Sequence, residues 1–247
     1  MKFDFNFKNA IFLSLVIIVL WMIIKEIIFA TSFLISSEIN DSLGAIVFLF
    51  LYILLTSAVI WWFSKKGNGK ELCFSKSDIR LLIPFAVLTV AGFYFTLSIE
   101  RLSGIAPYIT GSPDNFWHFV YIFSGILFAP IMEEIIFRGL FQRQLAKKVS
   151  PKIAILISSI LFVLYHFNVK KTPYSFINGI IWGFACHKTN KLTIPILCHS
   201  LVNIIASLPV TYKIYTKNEL IFMLAFSSII AIVTIKYLHN FFSHKVP

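Results

Sequence analysis

Glu133, Glu134 and Arg138 lie within six residues of one another in an apolar run, Ala129-Pro130-Ile131-Met132-Glu133-Glu134-Ile135-Ile136-Phe137-Arg138-Gly139. A charged side chain near a bilayer midplane costs roughly 2.5–3.5 kcal/mol even on the mildest insertion scale. Three such groups together need a specific role to offset that cost. Glu134 and Arg138 are four apart, which on a helix puts them on one face and lets them pair. Glu133 is rotated by about 100° from Glu134 and faces something else. Two neighbouring carboxylates in a low dielectric do not both ionise easily. With Arg138 holding Glu134 as the anion, Glu133 is the carboxylate left to trade a proton with a reactant, the work of a general base.

Two further polar sites interrupt apolar segments. His166 ends the run Phe162-Val163-Leu164-Tyr165-His166, and His199-Ser200-Leu201-Val202-Asn203 places an imidazole and an amide four apart. The second spacing aims two donors at one point, where they can stabilise a developing oxyanion. Each site also has a plain structural reading. Glu134–Arg138 can staple two helices, His166 can sit at a helix end in the interface, and His199 and Asn203 can hydrogen-bond neighbouring helices. Three intramembrane polar sites in one half of a chain favour function over three separate structural coincidences. His118, His187, His239 and His244 lie at span ends or in the tail and read as interfacial or solvated. Trp61, Trp62 and Trp117 read as interface-belt residues. Cys186 and Cys198 fall in apolar segments and read as inert thiols, and Cys73 completes a set with no disulfide framework or C-x-x-C.

The surroundings of these residues are those of a membrane protein. Of the 247 residues 58% are hydrophobic and 13% charged, and mean hydropathy is +0.83, whereas a soluble domain is about a quarter charged. The net charge of +11 therefore reads as basic loops at a membrane and excludes a nucleic-acid binder. Eight apolar segments, Ala10–Phe29, Leu43–Phe63, Leu81–Ile99, Phe116–Leu145, Ile153–His166, Tyr174–His187, Leu192–Val210 and Leu220–Leu238, predict an all-α polytopic bundle of about eight transmembrane helices forming a single domain over 1–247. The first is read as a retained span, since no small-residue cleavage site interrupts it. Pro130 is expected to kink the long fourth segment ahead of the glutamates. The Lys/Arg bias puts loops 64–80, 143–152 and 188–191 in the cytoplasm with both termini, and leaves Thr31–Ser42 as an outward loop; Lys170-Lys171 goes against that bias.

Taken in order, E-E-x-x-x-R (Glu133, Glu134, Arg138), F-x-x-x-H (Phe162, His166) and H-x-x-x-N (His199, Asn203) resemble the motifs of the CPBP family. These are the CAAX-protease and bacteriocin-processing membrane proteins, also called Abi, which include the type II CAAX prenyl endopeptidases. Ala129-Pro130, Phe137-Arg138-Gly139, Gly179, Gly183 and the stretch from Thr189 to Pro195 fit the same context, so the likeness covers a core of about 116–205. The resemblance implies an intramembrane glutamic endopeptidase without a cofactor. Glu133 would act as base, His166 would position the water, His199 and Asn203 would form the oxyanion hole, and Glu134 with Arg138 would fix the motif helix. A zinc-dependent version would use Glu133, His166 and His199, although the H-E-x-x-H signature is absent. A non-catalytic immunity or scaffold role is the other alternative. The implied partners are the bilayer and a peptide or membrane-protein substrate. Richness in Ile, Lys, Phe and Asn suggests an AT-rich bacterial genome, which favours bacteriocin or pheromone processing, or self-immunity, over prenylated CAAX proteins.

Overall fold

An apolar run in lipid must satisfy its own backbone, and a helix does so within one segment. In the computed structural model, which describes residues 7–104, 116–166, 172–208 and 215–243, every predicted span is helical and no strand occurs among the described residues. The helices are α1 (Phe7–Glu38), α2 (Asp41–Phe63), α3 (Ile79–Leu102), α4 (Phe116–Leu145), α5 (Pro151–Tyr165), α6 (Thr172–Thr189), α7 (Thr193–Ser207) and α8 (Lys217–Ser243). Five of them, α1, α2, α3, α4 and α8, are long and apolar enough to cross a membrane, and the chain is an integral membrane helical bundle. The shorter α5, α6 and α7 pack among them. Lys170-Lys171, the weak point of the topology, lies outside the described residues.

The helices form two flanks around a centre. On one flank α1 packs on α2, and α2 on α4; on the other, α8 packs on α3. Between them α3 touches α6 and α7, α7 touches α4, and α5 lies along α6. The flanks present Phe12, Val19, Ile27, Phe50, Leu54, Phe222, Ile229 and Val233 outward, as a lipid-facing surface requires. Phe85, Phe137, Phe162, Trp182, Ile194 and Cys198 form the buried centre.

Two expectations need correction. The outward loop expected at Thr31–Ser42 is mostly helix, because α1 continues to Glu38 and only a tight turn separates it from α2. Asn40 closes that turn by accepting from the Leu43 N–H at 3.0 Å. Asp41 then joins three helices, accepting from Ser36 Oγ at 2.8 Å and from the Trp117 N–H at 3.2 Å, one of the unpaired donors at the start of α4. Second, Trp117 is buried and stacks on Tyr121 with centroids 5.5 Å apart, edge-on to Phe29 and Phe33; it belongs to an aromatic cluster rather than an interface belt. Trp61 is exposed, as expected there. Pro130 lies inside α4, and a π-helical stretch follows from Ile135 to Gln142 directly after the glutamates.

Gly44 sets the approach of α1 to α2. A Cβ there would stand 2.6 Å from Ser32 O and from Ser36 atoms, so Gly44→Ala must push the two helices apart. We expect a loss of about 1–3 kcal/mol, as for overpacked cores, read as a lowered midpoint of thermal unfolding in detergent; an unchanged midpoint would refute that contact.

The loops assigned to one side of the membrane meet at one end of the bundle. Arg143 pairs with Glu71, Leu192 N donates to Glu71 O at 2.9 Å, and Lys191 Nζ reaches Cys73 O at 3.0 Å and Asp78 at 3.8 Å.

Candidate active site

The π-helical stretch places the motif of α4. Widened turns leave carbonyls poorly served within the helix, and in lipid a neighbour must supply the missing donor. Ser158 of α5 does so, donating to Phe137 O at 3.1 Å. The side chains of the stretch in turn reach α6: Arg138 Nη2 donates to Gly179 O at 3.3 Å and Gln142 Nε2 to Gly183 O at 2.9 Å. Both acceptors are glycines for a steric reason. A Cβ on Gly183 would stand 2.7 Å from Gln142 Oε1, and one on Gly179 3.2 Å from Ser159 Cβ.

Arg138 is fully buried. Its guanidinium lies 4.4 Å from the centroid of Phe162, with Trp182 at 5.7 Å and Phe137 at 5.9 Å. Its Nε stands 3.2 Å from Glu134 Oε2, an ion pair by distance but not aligned as a hydrogen bond. The other oxygen of Glu134 is 3.0 Å from His199 Nδ1. A carboxylate paired with Arg138 can only accept, so Nδ1 carries the hydrogen and donates. Arg138, Glu134 and His199 thus form a line in which each member orients the next, and the flat stacking of His199 on Trp182, with centroids 4.0 Å apart, fixes the ring plane.

That line turns His199 Nε2 towards Glu133, whose Oε2 is 3.8 Å away. Glu133 is nearly buried and its Oε1 accepts from Tyr165 at 3.2 Å. The Tyr165 hydroxyl accepts from Trp21 Nε1 at 3.0 Å, so α1 reaches the motif through two hydrogen bonds. His166 caps α5, with Nδ1 2.8 Å from Phe162 O. A carbonyl only accepts, so Nδ1 bears the hydrogen and Nε2 of the neutral ring carries the lone pair. Asn203 donates from Nδ2 to Gly125 O at 2.9 Å and accepts from Tyr174 at 3.3 Å; the amide keeps a second N–H for another acceptor. Asn190, in the left-handed region at φ 53°, ends α6 and lets α7 turn back towards α4.

Glu133, His166, His199 and Asn203 all line one cavity of about 270 Å³, while Glu134 and Arg138 stand behind its wall. Among the described residues no three His, Cys, Asp or Glu side chains converge as a metal-holding group. Cys186 and Cys198 are buried and Cys73 is exposed.

Several residues of the site went unread in the sequence. Trp21, Lys25, Glu26, Tyr52, Tyr165, Tyr174 and Trp182 share no spacing with the motifs. Two local signals existed: Tyr165 adjoins His166, and Lys25 and Glu26 interrupt an apolar span before its end. We expect Tyr165→Phe to lower turnover about 10- to 100-fold with little change in KM, since a hydrogen bond to a charged group is worth about 1.5–3 kcal/mol. Wild-type turnover in that variant would remove Tyr165 from the mechanism.

Residues 115–205 match the family described as type II CAAX prenyl endopeptidase Rce1-like. The chain is similar to YdiL of Bacillus subtilis (strain 168), a candidate membrane peptidase by name, with 28% identity over 140 residues, 52% of this chain and 56% of that protein. It is also similar to the membrane-embedded CAAX protease MroQ of Staphylococcus aureus (strain USA300), with 31% identity over 90 residues, 34% of this chain and 36% of that protein. The matches thus span about half and about a third of the two relatives. No solved structure matches. The segment that carries the three motifs, residues 115–205, is thus the part of the chain that is similar to the Rce1-like family.

Proposed function

We propose that this protein is an intramembrane endopeptidase of the glutamic type that cleaves peptides or membrane-protein tails. The observation that carries the reading is the convergence of Glu133, His166, His199 and Asn203 on one cavity, with Glu134 and Arg138 held out of it. In this reading His166 Nε2 holds a water and Glu133 takes its proton as the oxygen attacks the scissile carbonyl carbon. The carbonyl oxygen becomes an oxyanion that accepts from the Asn203 amide and from His199. Because Nδ1 is committed to Glu134, His199 meets the oxyanion through Nε2, a donation that requires a hydrogen on both ring nitrogens. Glu133 then passes its proton to the leaving nitrogen as the C–N bond breaks. Rough contributions are 10²–10⁴-fold for the base and about 10²–10³-fold for one oxyanion donor.

Both relatives come from bacteria, which supports a bacterial membrane setting and processing of secreted peptides such as bacteriocins or pheromones, with self-immunity as a consequence. The basic loops gathered at one end of the bundle support an orientation with both termini cytoplasmic. No metal enters this scheme, and the purified enzyme is expected to keep its activity after treatment with a strong chelator. Loss on chelation and recovery with zinc would instead assign Glu133, His166 and His199 to a metal.

The test compares secreted and membrane peptides from cells lacking the gene and complemented with wild type or Glu133→Gln. A peptide processed only with wild type supports proteolysis and identifies its substrate. Equal profiles with both forms would overturn it in favour of a non-catalytic immunity or scaffold role.

A further inference from the structure

The cavity has a second buried carboxylate that the motifs do not contain. Glu100, near the end of α3, is 4% exposed, lines the cavity with Glu133 and His199, and leaves its Oε1 without a hydrogen-bond partner. Thr96, one turn earlier on the same face, does not serve it, because its hydroxyl donates to Gly92 O and Phe93 O. Arg101 follows directly in the chain but directs its guanidinium over the ring of Tyr215 at 5.6 Å.

A buried carboxylate without a partner is a standing cost that an amide or an apolar side chain of similar volume would avoid. The charge balance of the cavity points the same way. The chain carries 22 Lys and Arg against 11 Asp and Glu, yet among the described residues Glu26, Glu100 and Glu133 line this one cavity with Lys25 as the only Lys or Arg. Lys25 is already engaged, 3.4 Å from Glu26 and 4.6 Å from the centroid of Tyr165.

We propose that Glu100 is a specificity residue that binds a cationic group of the substrate, a lysine or arginine side chain or the ammonium of a peptide N-terminus, close to the bond that is cut. The proposal rests on the endopeptidase reading, and it is tested by binding so that the two can fail separately.

The full chain carrying Glu133→Gln, in lipid nanodiscs, is titrated with fluorescent N-acetylated octapeptides of alanine and leucine. Each has lysine at one position in turn and is matched by a twin with norleucine there; a further unacetylated peptide has a free N-terminus. At least one lysine register, or the free N-terminus, is expected to bind about tenfold tighter than its neutral twin, as close charge pairs do. Adding Glu100→Gln should reduce that gap to less than about twofold, and Glu100→Ala provides a second neutral variant should the first fail to fold. Which peptide shows the gap distinguishes side chain from N-terminus. Absence of a gap at every position, or a gap that survives both substitutions, overturns the proposal and leaves the protease reading standing. Peptides that bind with the gap yet are not cut by wild type would count against proteolysis alone.

Discussion

Glu133→Gln is expected to lower peptide hydrolysis by about 10²–10⁴-fold while the protein accumulates at wild-type levels. The substitution keeps the shape of the side chain and can still accept from Tyr165, which lies 3.2 Å from Oε1. It removes the ability to take a proton from water. Stability should hold because the buried cation nearest the motif, Arg138, is committed to Glu134, and His199 keeps its bond to Glu134. Turnover by the purified variant, with abundance read in the same membranes, checks the prediction. Wild-type turnover would place the base elsewhere, and a poorly accumulating variant would make Glu133 a structural residue.

Arg138→Ala is expected to have the largest effect on folding, a loss of about 3–5 kcal/mol from leaving a buried carboxylate unpaired. The substitution also empties the space beside Phe162 and Trp182 and removes the donor to Gly179 O. Low abundance and early thermal unfolding in detergent are the expected results. A double variant with Glu134→Gln separates the causes. Removing the stranded charge should recover part of the stability, while the packing loss remains and the activity stays low because His199 has lost its anionic partner. Normal stability of the single variant would show that the pair contributes little.

The helical layout was legible because lipid leaves a chain few choices, and eight apolar runs became eight helices among the described residues. The end of α1 was not, because Thr31, Ser32, Ser36, Ser37 and Glu38 have the composition of a loop. Those small polar residues instead allow α1 to approach Gly44 closely, a contact that composition does not reveal. Trp117 misled for a related reason: its partners Phe29, Phe33 and Phe48 come from helices remote in sequence. The pairing of Glu134 with Arg138 was readable from spacing alone. The bond from Glu134 to His199 spans 65 residues, and no local pattern announces it. It gives Glu134 a second task beyond holding its own helix, that of fixing how the ring of His199 is turned.

The walls of the cavity come from two sources. Glu133, His166, His199 and Asn203 lie within 115–205, the part that matches the family, whereas Lys25, Glu26, Tyr52 and Glu100, which also line the cavity, lie outside it. In the proposed reading the 115–205 segment supplies the reactive groups, and α1, α2 and α3 supply surface that a substrate side chain would meet. Relatives could therefore diverge in diet while their chemistry stands still, by changing α1 to α3 alone. Exchanging those three helices between two such proteins would transfer the preference for a peptide without transferring the means of cutting it.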